Sequence, residues 1–229
     1  MSDACPFLPA AGPGYRCRTQ LPWILVAMQL IGMFDSPYVR RVGVSLHLLG
    51  QPFEHQPLSV FSTYEAFSRI NPVVKAPTLV CDGGEVLMDS TLILQWADTL
   101  GTRRLAPAEP AALRHDMRLA GLALAGCEKT MQIVYERNLR PAEKQHQPWL
   151  DRVQGQLAAA FGALEAEITR VPLVAEAAAM THGSVATAVA WSFTQLLLPG
   201  QLSAEQHPQI AAFTAAAERL PAFQVCPQV

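Results

Sequence analysis

The chain has 229 residues, 50% hydrophobic and 16% charged, with a formal charge of −2. That is enough for one large core or two small ones, and too little basic charge to make nucleic acid or an anionic membrane its main partner. No apolar run reaches the ~18 residues of a membrane span. The five cysteines (5, 17, 81, 127, 226) are odd in number and form no C-x-x-C, which points to free thiols in a reducing compartment, the cytoplasm. The six histidines have no metal-ligand spacing, so no metal is expected.

Leu21 to Ala27 is apolar and follows Arg16 and Arg18, a faint likeness to a signal peptide. Pro22 interrupts it and no small-x-small site follows. Residues 1–27 are therefore expected to be a loose extension before a domain that begins near Met28.

Met28 to Phe34 reads as a strand that stops at a polar turn. Ser36-Pro37 then opens a helix, since Ser is favoured at the N-cap and Pro at the first helical position. Val39, Val42, Leu46 and Leu49 recur at helical spacing, and Gly50 ends the pattern. The unpaired N–H groups and dipole at such a helix start favour a negative charge, so the Ser36 hydroxyl is placed to donate to an anion, a substrate thiolate being one candidate. The competing reading is that Ser36 only caps the helix.

Pro52 to Leu58 partly alternates and reads as a second strand. A short helix or turn is placed near Tyr64 to Arg69, and Asn71-Pro72 marks a turn. Ala76 to Cys81 is a third strand, Asp82-Gly83-Gly84 a hairpin turn and Glu85 to Met88 the returning strand. After Asp89-Ser90 a helix runs from Thr91, with Leu92, Ile93, Trp96, Ala97 and Leu100 apolar, to Gly101. The order β-α-β, then β-β-α, fits a mixed four-stranded sheet flanked by helices.

Residues 101–110 read as a linker, and beyond them strand signals vanish. Leu113, Met117, Ala120, Leu124, Cys127, Met131 and Val134 form the apolar stripe of a long helix. Pro141 and Pro148 bracket a loop. A second helix follows from Leu150 to Ile168, a third from Val185 to Leu198 behind Thr181-His182-Gly183-Ser184, and a fourth from Pro208 to Leu220. Residues 221–229 read as a tail. Arg40, Arg41 and Lys75 are by default solvated charges, whereas Cys81, Cys127, Trp96 and Trp191 read as buried. Met117 and Met131 read as packing.

Three stretches, in this order and spacing, carry a resemblance: Ser36-Pro37-Tyr38-Val39-Arg40-Arg41, Asn71-Pro72-Val73-Val74-Lys75-Ala76-Pro77 and Met88-Asp89-Ser90. Over about residues 28–220 the chain resembles the cytosolic glutathione transferases, most closely the small bacterial members that use serine. The resemblance implies a thioredoxin-like α/β domain over 28–103 and an all-α domain over 110–229. It implies that Ser36 faces the glutathione sulfur and that Pro77 follows a cis peptide bond. Ala76 then pairs strand-like with the cysteinyl part. Asp89 and Ser90 hold the γ-glutamyl end, and Lys75 reaches the glycyl carboxylate. Glutathione is a co-substrate and no other cofactor is implied. The partners implied are a small apolar electrophile, in the cleft around Met117 to Met131, and a second copy of the chain.

The chemistry behind these roles is direct. A free thiol has a pKa near ~8.5, so little is ionised at neutral pH. A hydrogen bond to a charged group is worth roughly 1.5–3 kcal/mol, or about one to two pKa units, which ionises most of the thiol. Val74 departs from the pattern where the family often has Gly, and Ser184 departs where many members have Asp in a capping box. A protein dithiol mechanism is disfavoured, because Ser36-Pro37-Tyr38-Val39 lacks the two cysteines it needs. Glutathione-dependent isomerase, dehalogenase or disulfide reductase activity and a non-catalytic glutathione-binding module are the alternative readings.

Overall fold

The computed structural model of the chain describes residues 28–228. The expected extension over 1–27, with Cys5 and Cys17, lies outside them. Four strands, β1 (Met28–Ile31), β2 (Phe53–Gln56), β3 (Thr78–Val80) and β4 (Val86–Met88), form one sheet in the order β2-β1-β3-β4. β1 and β2 are parallel because the helix between them returns the chain to the same end, whereas β3 pairs antiparallel with β1 and with β4. The helices of this half are α1 (Pro37–Leu49), α2 (Tyr64–Ile70) and α3 (Ser90–Ala97). Gly50 stops α1 by taking the left-handed conformation, φ 70°, that a side chain resists.

The rest is helical: α4 (Pro110–Leu139), α5 (Gln147–Arg170), α6 (His182–Leu197), α7 (Pro208–Ala217) and α8 (Pro221–Gln224), with one 3₁₀ turn at Ala142–Lys144. The fold is thus a thioredoxin-like domain followed by an all-α domain, as expected. Among the described residues, no helix is long and apolar enough to cross a membrane.

Four expectations are corrected. Arg40 and Arg41 are not solvated: both are buried, because α1 lies between the sheet and the helical half, with α6 packed on it. Residues 221–228 are not a loose tail, since Phe223 and Cys226 are fully buried in the core that includes α1. Pro148 does not bracket a loop but sits in the first turn of α5, where its missing N–H costs nothing. The long-helix stripe is also displaced by about one residue. The face of α4 that packs inward carries Asp116, Leu119, Ala123, Cys127, Thr130 and Ile133, while Met117 is exposed.

The connection from α3 to α4 is held in place. Asp98 accepts from the Leu105 and Ala106 N–H groups at 3.0 and 3.1 Å, and its Oδ2 lies 2.9 Å from His182 Nε2. Asp116 accepts from the Gly183 N–H at 2.8 Å. Thr181 and Ser184 form a reciprocal capping box at the start of α6, so Ser184 does serve where many members have Asp.

Candidate functional site

The turn between β1 and α1 is set by local bonds. Gly32 N–H reaches the Gln56 carbonyl at 3.0 Å, His55 Nε2 lies 2.8 Å from the Gly32 carbonyl, and Ser36 N–H donates to the Met33 carbonyl at 3.1 Å. Ser36 occupies the N-cap position with extended backbone, but its side chain makes no capping bond. The competing reading, in which Ser36 only caps, therefore lacks its hydrogen bond. The hydroxyl belongs instead to the wall of a cavity of about 790 Å³.

That cavity gathers every site residue inferred above: Ser36, Lys75, Ala76, Pro77, Asp89 and Ser90. The Ala76–Pro77 peptide bond is cis. The β1–β3 ladder ends at the Ile31–Thr78 pair, so Ala76 lies beyond it. Among the described residues, the Ala76 N–H and carbonyl make no hydrogen bond. A free donor and acceptor on one residue of a cavity wall suit an extended peptide ligand.

Asp89 caps α3 by accepting from the Thr91 N–H at 2.9 Å, with its own backbone at φ 72°. Its other oxygen lies 3.9 Å from Lys75 Nζ, and both side chains are about half exposed. Ser90 is buried, and its Oγ accepts from Arg41 Nη1 at 3.1 Å. Thr91 Oγ1 accepts from the same nitrogen at 3.2 Å. The N-terminus of α3 thus presents two hydroxyls backed by a guanidinium.

The facing wall comes from the helical half, with Gly121, Leu124, Glu128, Met131 and Tyr135 of α4 and Phe193 of α6. The expected cleft around Met117 to Met131 is displaced toward the C-terminal end of α4, because Met117 points to solvent. Met131 lines the cavity besides packing. Phe61 and Tyr135 meet edge to face, ring centroids 6.0 Å apart, across the two halves. Tyr38 lines the cavity, and burial, with Cys127 and Glu128 nearby, raises its pKa well above the ordinary phenol value. It is therefore a neutral hydroxyl and not a phenolate. Burial pushes the Cys127 thiol up to about 12, so it is no nucleophile.

Sequence reasoning missed Arg41, Thr91 and Tyr135. A signal for Arg41 existed: α1 carries Val39, Val42, Gly43, Val44, Leu46, Leu48 and Leu49, apolar on all sides, and such a helix is buried whole.

A thioredoxin-like sheet that faces an all-helical half across such a cavity, with the cis-proline and serine-led helix on its rim, is the architecture of glutathione transferases. Residues 30–102 match the family of glutathione S-transferase N-terminal domains. The α/β half thus carries a glutathione S-transferase N-terminal domain, and the chain as a whole is similar to members of the glutathione transferase superfamily. A glutathione transferase family member from Pseudomonas fluorescens Pf-5, solved with bound glutathione, is 29% identical; the match has a TM-score of 0.76 and covers 89% of this chain and 100% of that one. A glutathione S-transferase from Methylobacterium radiotolerans JCM 2831, in complex with glutathione sulfonate, is 25% identical, with a TM-score of 0.79 over 87% of this chain and 94% of the other. The uncharacterized GST-like protein YibF of Escherichia coli (strain K12) is 24% identical over 174 residues, 76% of this chain and 86% of YibF.

Proposed function

We propose that the protein is a glutathione transferase in which Ser36 lowers the pKa of the glutathione thiol, and the thiolate attacks an electrophilic carbon of a largely apolar substrate. One observation carries this reading: an uncapped serine at the start of α1 shares one cavity with a residue, Ala76, whose backbone N–H and carbonyl are unbonded, and with a hydroxyl-lined helix N-terminus. These features suit the thiol, the cysteinyl backbone and the γ-glutamyl end of the tripeptide. The Ser36 hydroxyl donates to the sulfur, where the α1 dipole adds to the effect. Ala76 pairs through its backbone with the cysteinyl unit. Ser90 and the α3 N-terminus hold the γ-glutamyl carboxylate, and Asp89 holds the ammonium beside it. Lys75 leaves Asp89 for the glycyl carboxylate; a half-exposed pair at 3.9 Å gives up little when it opens.

The apolar residues that α4 turns to the cavity, Leu124, Met131 and Val134, take the electrophile. Solved relatives with bound glutathione and glutathione sulfonate support the ligand. The homodimer and the cytoplasmic setting belong to the same proposal.

Ser36→Ala is the test. Loss of a hydrogen bond to a thiolate should lower turnover about tenfold or more and move the pH–rate profile up by about one to two units, with glutathione affinity kept. An unchanged pH profile rejects serine activation. Wild-type protein that binds glutathione but turns over no electrophile or disulfide from a broad panel supports the binding-module reading.

A further inference from the structure

Arg41 is 3% exposed and sits on α1 behind the cavity wall. Its Nη1 donates to Ser90 Oγ and Thr91 Oγ1, while its buried Nε–H has no partner. Among the described residues, no carboxylate pairs with it. A guanidinium cannot shed its proton in a protein, so this is a buried charge that no carboxylate contacts directly, with Asp89 and Asp116 acting on it only through space, an arrangement that is costly unless something more offsets it.

A hydroxyl has one proton and two lone pairs. When it accepts from Arg41, its own proton is free to point elsewhere. Ser90 and Thr91 are the first two residues of α3, and both line the cavity. The guanidinium therefore turns both hydroxyls into donors toward the cavity, where the unpaired N–H groups of α3 already favour an anion. A carboxylate bound there adds to the counter-charge that Asp89 and Asp116 supply at a distance, through a layer of two hydroxyls.

We propose that Arg41 is a positioning residue for the carboxylate of an amino-acid-like group at the α3 N-terminus, and that it makes the site select an anionic ligand end over a neutral one. The inference rests on the reading of the cavity as a glutathione site, in which the γ-glutamyl end carries that carboxylate. Arg41 touches no reacting atom, so it acts on binding and not on the chemical step.

Titration of the full-length protein with two ligands separates these effects: glutathione, and an analogue in which hydrogen replaces the γ-glutamyl α-carboxylate (4-aminobutanoyl-cysteinylglycine). Arg41→Gln should weaken glutathione about tenfold or more and the analogue less than about twofold, with kcat at saturating glutathione nearly unchanged. Arg41→Lys, which keeps the charge and a donor, should recover most of the affinity. Thr91→Val changes an exposed residue and so does not depend on whether Arg41→Gln folds. It should weaken glutathione about threefold and leave the analogue alone. Equal loss of both ligands in either variant, or no loss of glutathione in Thr91→Val, overturns the role of Arg41. Wild-type protein that binds neither ligand rejects the glutathione reading itself, and this inference with it.

Discussion

Val74 stands where the resemblance leads one to expect glycine, and the structure gives the departure a physical meaning. Its backbone is at φ 51°, in the left-handed region that a β-branched residue rarely enters. The turn that holds it there is closed by a 2.9 Å bond from the Val74 N–H to the Asn71 carbonyl, and by Asn71 itself, whose side chain accepts from the Val73 N–H and donates to Thr78. Such a conformation costs on the order of 1–3 kcal/mol in a non-glycine residue, while a glycine adds about 0.5–1 kcal/mol of chain entropy to lose. Val74→Gly should therefore leave stability unchanged or raise it by up to about 2 kcal/mol, read as a higher urea midpoint with the same slope. A loss above about 1 kcal/mol would mean that the valine side chain contributes packing that outweighs its backbone. The sequence alone marked the position as unusual, because the departure is visible by resemblance. It did not show the φ value, which depends on how Asn71 and Thr78 meet.

At the scale of elements, α1 is tied to the end of the chain. Arg40 Nη1 and Nη2 donate to the two Glu218 oxygens at 2.7 and 2.6 Å, Ser192 Oγ donates to the same carboxylate at 2.6 Å, and Arg40 Nε donates to the Cys226 carbonyl at 2.9 Å. This is why residues 221–228 are ordered against α1. A local pattern could not reveal it, since Arg40 and Glu218 are 178 residues apart. The strands, the hairpin and most helices were legible because periodicity and turn residues are local. The stripe of α4 was misplaced for a related reason: Asp116 and Thr130 point inward and satisfy their polar atoms there, while apolar Leu124 and Met131 face the cavity. Burial pushes the Glu218 carboxyl up, but the bonds from Arg40 and Ser192 outweigh this and hold its pKa below the ordinary value. The pair therefore stabilises the fold fully above the usual glutamate range, near about 4.3, and that contribution is lost as pH falls through the lower folded value. Glu218→Gln leaves a buried guanidinium without its counter-charge. It should cost about 2–3 kcal/mol at pH 7, less than a fully buried pair because Glu218 stays 32% exposed. In urea melts the gap from wild type should narrow as pH falls below the usual glutamate range. A gap that stays constant with pH would rule out the ion pair as its source.

At the scale of the whole molecule, the cavity lies between the two halves, and each half supplies a different chemistry. The sheet side carries the polar groups that suit a charged tripeptide, and the α4 side carries apolar surface around Gly121 and Leu124. That the six residues expected at the site share one cavity could be anticipated because they fall in short motifs, whereas the opposite wall could not, because it depends on how α4 rolls against the sheet domain. Gly121 separates binding on the two walls. It is exposed to the cavity, and a Cβ built there meets nothing within 4 Å. A leucine at this position gains about 0.5–1 kcal/mol of helix propensity and extends into the space assigned to the electrophile. Gly155 on α5 has the same open surroundings but does not line the cavity, so Gly155→Leu supplies the helix gain alone. Both variants should be at least as stable as wild type. Only Gly121→Leu should raise the KM for electrophiles, about threefold for small ones and about tenfold or more for bulky ones, with the KM for glutathione unchanged. If the penalty does not grow with electrophile size, the second substrate does not bind along α4. If the KM for glutathione rises with it, the two walls do not divide the substrates in this way.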